Sequence, residues 1–261
     1  MQTKEAQGKL WSTSPQDWLQ YIEPSFIPMY QKALEELRLD ESISHLDAGC
    51  GSGLFLSMAA ATGASIHGID AAPGLLAISK KRQPGATLLI EDLEALPFTD
   101  GAFDVVTGFN SFQYAGSFEN ALLEAKRVLK PKGRLVMGIW GQEKDCEAAA
   151  VLKAVGGLLP PPPPGTPGPF ALSEEGKMEA VLKIAGLRLV SKHMVSCPWL
   201  FIGEEALQKA FLCTAPCAKA VQATDERTVK ETVTSASRPY RLANDVYYMR
   251  NVFILFIIEK I

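Results

Sequence analysis

Leu46-Asp47-Ala48-Gly49-Cys50-Gly51-Ser52-Gly53 runs from a short apolar segment into a helical one, with glycine at every second position of its second half. Glycine accepts a left-handed backbone and lets another backbone or a ligand approach where a Cβ would block it. A turn of this kind heads a strand-turn-helix unit. A nicotinamide-dinucleotide fingerprint would place glycines at relative positions one, three and six, but counting from Gly49 and Gly51 the sixth is Leu54, so the loop departs from that pattern.

Outward from the turn, short apolar runs alternate with helical stretches, the plan of a mostly parallel sheet covered by helices. Strands are expected at 44–48, 65–69, 87–91, 103–109 and 134–140, and helices at 55–61, 73–81 and 120–129. Lys130-Pro131-Lys132-Gly133 stops the last helix, because proline cannot continue the hydrogen-bond ladder. Upstream, Trp18, Tyr21, Ile22, Met29, Ala33, Leu34 and Leu37 recur at helical spacing and predict two helices between 15 and 39. Downstream, 159–169 reads as a stiff, partly polyproline II connection. Ser173 is placed to cap a helix running to Ala185, and 187–195 reads as a strand. A last strand is expected at 246–259, and 199–243 before it carries helical periodicity at 206–212 and 228–236. A direct hairpin needs only a few residues, so this segment is read as an insertion that caps a site.

Composition narrows the class. The formal charge is -3, from 26 Lys and Arg against 29 Asp and Glu, with no basic stripe able to displace counterions from a phosphate backbone. Nucleic acid is not expected as a partner. Five cysteines form an odd set without CxxC pairs, and nothing ahead of Trp11 has a basic-then-apolar leader plan, which points to a reducing cytoplasm. The apolar run 252–258 is far shorter than the roughly 18 residues of a spanning helix; it predicts a buried strand, and no membrane association is expected. His45, His67 and His193 lack partners at metal-ligand spacing, so no metal is expected. The chain is read as one domain, with N-terminal helices over 1–43, an α/β core over 44–196, a cap insertion over 197–244 and the final strand over 245–261. Nothing in the sequence fixes an oligomeric state.

Asp47 at the head of the loop and the positive end of the following helix suit a zwitterion: the acid balances an ammonium, the helix amides a carboxylate. Gly68-Ile69-Asp70 places a second acid about 20 residues past the loop, where doubly wound folds present a carboxylate to ribose hydroxyls. Asp92, after the third strand, is placed to accept an exocyclic adenine amine while Leu93 packs on the ring. Asn110, Gln113 and Tyr114 lie at the carboxyl end of the fourth strand.

These four motifs, LDAGCGSG, GID, EDLEALPFTDGAFDVV and RVLKPKGRL, occur in this order across about 44–140 and together resemble the class I S-adenosylmethionine-dependent methyltransferases of the broad UbiE-like (methyltransferase type 11) group. The resemblance implies a doubly wound, Rossmann-like α/β fold. Its seven-stranded sheet would run in the order 3-2-1-4-5-7-6 with the last strand antiparallel, beside the N-terminal helices and the helical insertion before that strand. It also implies S-adenosylmethionine as cofactor and S-adenosylhomocysteine as product. Asp47, Gly49 and Gly51 then fall to the methionine end, Asp70 to the ribose, and Asp92 with Leu93 to the adenine; Cys50, Gly53, Ala71 and Asn110 complete the expected lining.

Methyl transfer from a sulfonium is an in-line displacement whose reactivity resides in the cofactor, so the protein aligns the reactants and excludes water. A general base is needed only where the nucleophile must lose a proton, and Tyr114 is the nominee. Trp11, Trp18 and Tyr21 are expected to form an aromatic wall, with Gln113 and Trp140 as further pocket residues. Asp104, after a turn, is read as structural. The expected function is methyl transfer to a small-molecule nucleophile; the competing expectation is a non-catalytic protein that holds the cofactor or its demethylated product.

Overall fold

The computed structural model describes residues 3–161 and 168–261, so most of the proline-rich connection anticipated at 159–169 lies outside the described residues. β1 (Ser44–Ala48), β2 (Ser65–Asp70), β3 (Thr87–Ile90), β4 (Phe103–Phe109) and β5 (Leu129–Trp140) are parallel. β6 (Leu187–Ser196) follows, then β7 (Trp199–Ile202), β8 (Val246–Met249) and β9 (Val252–Lys260). The main sheet runs β3-β2-β1-β4-β5-β9-β6, with β9 antiparallel to both neighbours. Counting only its own seven strands, that order is 3-2-1-4-5-7-6, as the resemblance implies.

Burial explains the strand sequences. β9 carries an unbroken apolar run because helices cover both faces of the sheet. Its alternate residues Phe253, Leu255 and Ile257 join one core, while Ile254, Phe256 and Ile258 join the other. Truncating a buried phenylalanine such as Phe253 to alanine costs about 3–5 kcal/mol. β6, at the sheet edge, alternates between inward and exposed residues.

The helices are α1 (Thr3–Trp11), α2 (Ile27–Leu37), α3 (Leu54–Ala60), α4 (Pro73–Arg82), α5 (Phe118–Val128) and α6 (Ala148–Gly156). α7 (Lys177–Ala185), α8 (Glu204–Leu212), α9 (Ala215–Ala223) and α10 (Glu226–Ser237) complete them. α5 begins on Ser117, whose hydroxyl accepts from the Asn120 amide at 3.1 Å, an N-cap that Ala would lose at about 1 kcal/mol. None of the helices in the described residues is long and apolar enough to cross a membrane.

Four local expectations are corrected. α1 precedes the two expected N-terminal helices and was not anticipated. The first of those two, over 15–26, is irregular: one α-turn at Pro15–Asp17, a wide π-type turn at Trp18–Ile22 and a tight 3-10 turn at Glu23–Phe26. Ser173 caps nothing; its hydroxyl donates to the Phe170 carbonyl at 2.6 Å, and α7 starts four residues later after left-handed Gly176. The single strand expected at 246–259 is two: it breaks at Arg250-Asn251, where the Arg250 amide donates to Glu147 at 2.6 Å and the Asn251 carbonyl accepts from the Cys197 amide at 2.8 Å, and β8 pairs with β7 instead of joining the main sheet.

Candidate functional site

The sheet order reverses around β1, whose neighbours are β2 and β4, and in open α/β sheets ligand crevices lie at that point, beyond the carboxyl ends of the strands. The glycine loop fills it. Gly49, Gly51 and Gly53 all have positive φ, of 87°, 54° and 80°. A Cβ on Gly49 would lie 2.2 Å from Ser111 Cβ and one on Gly53 2.3 Å from Ser79 Oγ, whereas one on Gly51 would meet nothing within 4 Å. The outer two glycines thus serve packing, and the middle one leaves open space on the cleft side. The Gly49 and Cys50 amides both donate to the Ile69 carbonyl, at 2.8 and 2.9 Å. Asp70 clamps the assembly: one carboxylate oxygen accepts from the Gly51 amide and the other from Ala72, each at 2.7 Å. Burial pushes its carboxyl upward, against the pull of those amides.

Behind the loop lies a buried chain of polar groups. Thr107 donates its one hydroxyl proton to Asp47 at 2.7 Å and stands 2.8 Å from His45 Nε2. Its proton is committed to the acid, so the imidazole donates through Nε2. Burial pushes Asp47 up to about 7 and His45 down to about 3, which leaves the imidazole neutral.

The N-terminal segment forms a roof. Lys4 Nζ pairs with Glu91 at 2.9 Å, and Ser12 Oγ accepts from the Gly74 amide at 3.1 Å. Between them Gly8 rests on the Ala71 carbonyl, where a Cβ would come within 2.2 Å of the oxygen. Further along, buried Glu23 receives both Arg82 guanidinium nitrogens, at 2.8 and 2.7 Å, and the Ser52 hydroxyl; Arg82 also donates to the Ser52 carbonyl at 3.0 Å. Such fork-to-fork pairs are directional as well as strong. Glu23 and Arg82 are 59 residues apart, and no local pattern announces the pair.

Floor and roof face each other across a concave cleft, the kind of place small-molecule sites occupy. Of the expected residues, Gly49, Gly51, Asp70, Ala71, Asp92, Leu93, Asn110, Trp11, Trp18 and Tyr114 line it. Asp47, Cys50 and Gly53 do not; they support the loop from behind. Tyr21 turns away onto the core, and Gln113 lies outside the lining with its amide donating to Asn110 Oδ1 at 3.1 Å. Trp140 is buried against Phe253 and Trp199, at ring distances of 4.5 and 5.5 Å, because β5 carries it to the face the insertion covers. Burial pushes the Tyr114 phenol up to about 12, so at neutral pH it is a proton donor and not the base nominated from sequence. Gln7, Phe26, Tyr30 and Phe109 join the lining without having been anticipated.

Two features mark the cleft as a ligand site. Asn110 sits at φ 50°, an uncommon conformation for a residue with a side chain and one that clusters at functional sites. The Gln7 side-chain oxygen is buried in the wall with no partner among the described residues, an acceptor that a ligand donor would satisfy. Arg127, from RVLKPKGRL, acts at a distance by clamping the loop after Leu93, donating to the Phe98 and Leu96 carbonyls at 2.7 and 2.9 Å. Asp104 is structural, as expected: it takes the Ser44 amide at 2.9 Å and Lys130 at 2.7 Å.

A glycine loop at the topological switch, a clamped acid ending the second strand and an acid-leucine pair after the third all open on one cleft, the arrangement that the sequence resemblance implies. Residues 46–137 match the family model described as "Methyltransferase domain". A demethylmenaquinone methyltransferase of Thermus thermophilus is 38% identical over 129 residues, covering 45% of this chain and 59% of the relative. A malonyl-[acyl-carrier protein] O-methyltransferase of Erwinia pyrifoliae is 31% identical over 130 residues, half of each chain. The chain thus spans about half the length of the curated relatives it matches. A solved structure from Bacillus halodurans superposes with a TM-score of 0.60 at 18% identity, covering 88% of this chain and 98% of that one, a likeness of fold alone.

Proposed function

We propose that the protein transfers the methyl group of S-adenosylmethionine to a small-molecule nucleophile by in-line displacement. The observation that carries this reading is Asp70: its carboxylate is fixed at the end of β2 by the Gly51 and Ala72 amides and faces the cleft shared with Asp92 and Leu93. The residues fit the cofactor. Asp70 retains a lone pair on each oxygen for ribose hydroxyls, the open face of Gly51 admits a close approach, and Leu93 offers an apolar surface beside the Asp92 acceptor. The unpartnered Gln7 oxygen adds one more acceptor to the wall. Asp47 acts from behind the loop, by charge and not by contact, on the ammonium of the methionine end.

Bound S-adenosylmethionine supplies the methyl group on an electrophilic sulfonium. The chain's own contribution is to hold that group against the acceptor and to exclude water, which the roof of α1 and the following turns accomplishes. Asn110 donates through its side-chain nitrogen, since Gln113 occupies its oxygen, and Tyr114 donates its phenol; both orient an acceptor without removing a proton.

Calorimetric titration with S-adenosylmethionine and, separately, with S-adenosylhomocysteine tests the reading. Micromolar binding of both, on the order of −8 kcal/mol, is expected, with a loss of tenfold or more in Asp70→Ala. Absence of binding to either compound overturns it. Binding without methylation of any acceptor across a broad panel would favour the alternative, a non-catalytic cofactor-holding protein, which the absence of an unmistakable catalytic residue among the described cleft residues suits.

A further inference from the structure

The lining of the cleft is sorted by charge. Its ionic side chains are Lys4, Asp70, Glu91 and Asp92; the three acids come from the carboxyl ends of β2 and β3, and Lys4 is already paired with Glu91 at 2.9 Å. Because the sheet order is β3-β2-β1-β4 across this edge, those groups lie on one side of the glycine loop. The other side, past β1, is ringed. Tyr114, Trp11, Trp18, Phe26, Tyr30 and Phe109 form a continuous chain of aromatic contacts, with successive centroids 5.4, 5.3, 6.0, 6.3 and 4.9 Å apart, and all six line the cleft.

Resting on the cofactor reading above, we propose that this ringed half binds the methyl acceptor and selects a neutral, apolar, ring-bearing molecule. An anionic acceptor would be desolvated against six rings with no cation to meet it: among the described residues that line the cleft the sole cation is Lys4, which is at the opposite end and paired. Leaving an ion unpaired in such surroundings is far costlier than burying apolar surface is favourable. A cationic acceptor would gain from the ring faces, but the two nearby buried acids are committed elsewhere, Glu23 to Arg82 and Ser52 and Asp47, behind the loop, to Thr107. The polar groups at this end are neutral: the Asn110 amide and the Tyr30 and Tyr114 hydroxyls, both phenols held protonated by burial. They can orient one hydroxyl or carbonyl on an otherwise apolar ring system.

The aromatic signal is only half visible in sequence. Trp11 and Trp18 stand out, whereas Phe26, Tyr30 and Phe109 look like ordinary core residues until the wide turn at Trp18–Ile22 swings the segment over β4.

The test uses the full chain saturated with S-adenosylhomocysteine and three probes on one bicyclic skeleton: 1-naphthol, 1-naphthoate and 1-naphthyltrimethylammonium, each titrated by calorimetry at pH 7. The expected result is naphthol binding at least tenfold more tightly than either charged probe. In Trp18→Leu, naphthol affinity should fall at least fivefold, a larger change than that in S-adenosylhomocysteine affinity, which also reports that the variant folds. Tightest binding of the carboxylate or of the ammonium overturns the inference, as does failure of all three probes on a protein that binds S-adenosylhomocysteine. Failure to bind S-adenosylhomocysteine itself overturns the cofactor reading, and this inference with it.

Discussion

The floor of the cleft and its roof are fastened by different means. Floor contacts are local and each uses a backbone amide: Gly49 and Cys50 to the Ile69 carbonyl, Gly51 and Ala72 to the Asp70 carboxylate, all within one strand-loop-strand unit. Roof contacts run through side chains over long sequence distances: Lys4 to Glu91, Ser12 to Gly74, Glu23 to Arg82 and Ser52. Such local bonds form wherever the loop takes its conformation, so the glycines and the acid that ends β2 almost specify the floor. The roof depends on a few tertiary pairs, each open to a single substitution. This difference makes it possible to loosen one part while leaving the other standing.

The largest effect is expected from Glu23→Ala. It leaves the Arg82 guanidinium without its partner and Ser52 without its acceptor, and breaking a buried pair costs about 3–5 kcal/mol. Because Arg82 is 25% exposed, water recovers part of the loss, and about 3 kcal/mol is expected in urea unfolding. A change below about 1 kcal/mol would mean that the roof is held elsewhere. Next comes the floor's own buried chain. Thr107→Val strands Asp47 and His45 without their shared hydroxyl, at about 2 kcal/mol, while Thr107→Ser keeps it and should lose less than half as much. Equal losses in the two variants would assign the effect to packing.

A third test uses pH. The Asp47 carboxyl, pushed up to about 7, holds a proton in the free fold that the unfolded chain has released above its ordinary value of about 4. Its contribution to stability is therefore complete below about pH 4 and is lost as pH rises through 7. Cofactor binding has the opposite sign, since an ammonium favours the ionised acid. Affinity for S-adenosylhomocysteine should strengthen about tenfold from pH 6 to pH 8, and Asp47→Asn should remove that slope while retaining any due to the ligand's own amine. A wild-type profile parallel to that of the variant would show that the floor does not sense the acid.

How far the sequence was legible follows the same division. The strand positions, the sheet order and the placement of Asp70, Asp92 and Leu93 come from segments whose neighbours in sequence are also their neighbours in space. Trp140 and Tyr21 misled, because an aromatic residue at a strand end or on a helical face fits a pocket and a core equally well until the covering layer is known. Tyr114 lines the cleft, but sequence shows only its phenol and not the burial that pushes its pKa up. Phe26, Tyr30 and the Glu23–Arg82 pair were invisible for one reason: their partners lie on elements that only the fold brings together. The final strand breaks at Arg250-Asn251 with no glycine or proline to announce it, because Glu147, which takes the Arg250 amide, lies 103 residues away in sequence.

The smallest effect should come from Lys4→Ala, and its size is informative. Lys4 and Glu91 are 27% and 37% exposed, so their ion pair contributes about 0.5 kcal/mol, and loss of the pair should weaken cofactor binding about twofold. Around 0.5 M salt the wild type should approach the variant, because exposed pairs are screened within a few ångströms at that strength. α1 keeps its Gly8 contact with the Ala71 carbonyl and its Ser12 bond to Gly74 in this variant, which is why the loss is expected to stay small. A loss of tenfold or more in calorimetry would show instead that the helix is held chiefly by charge at its first turn, making the roof far more sensitive to salt than the floor.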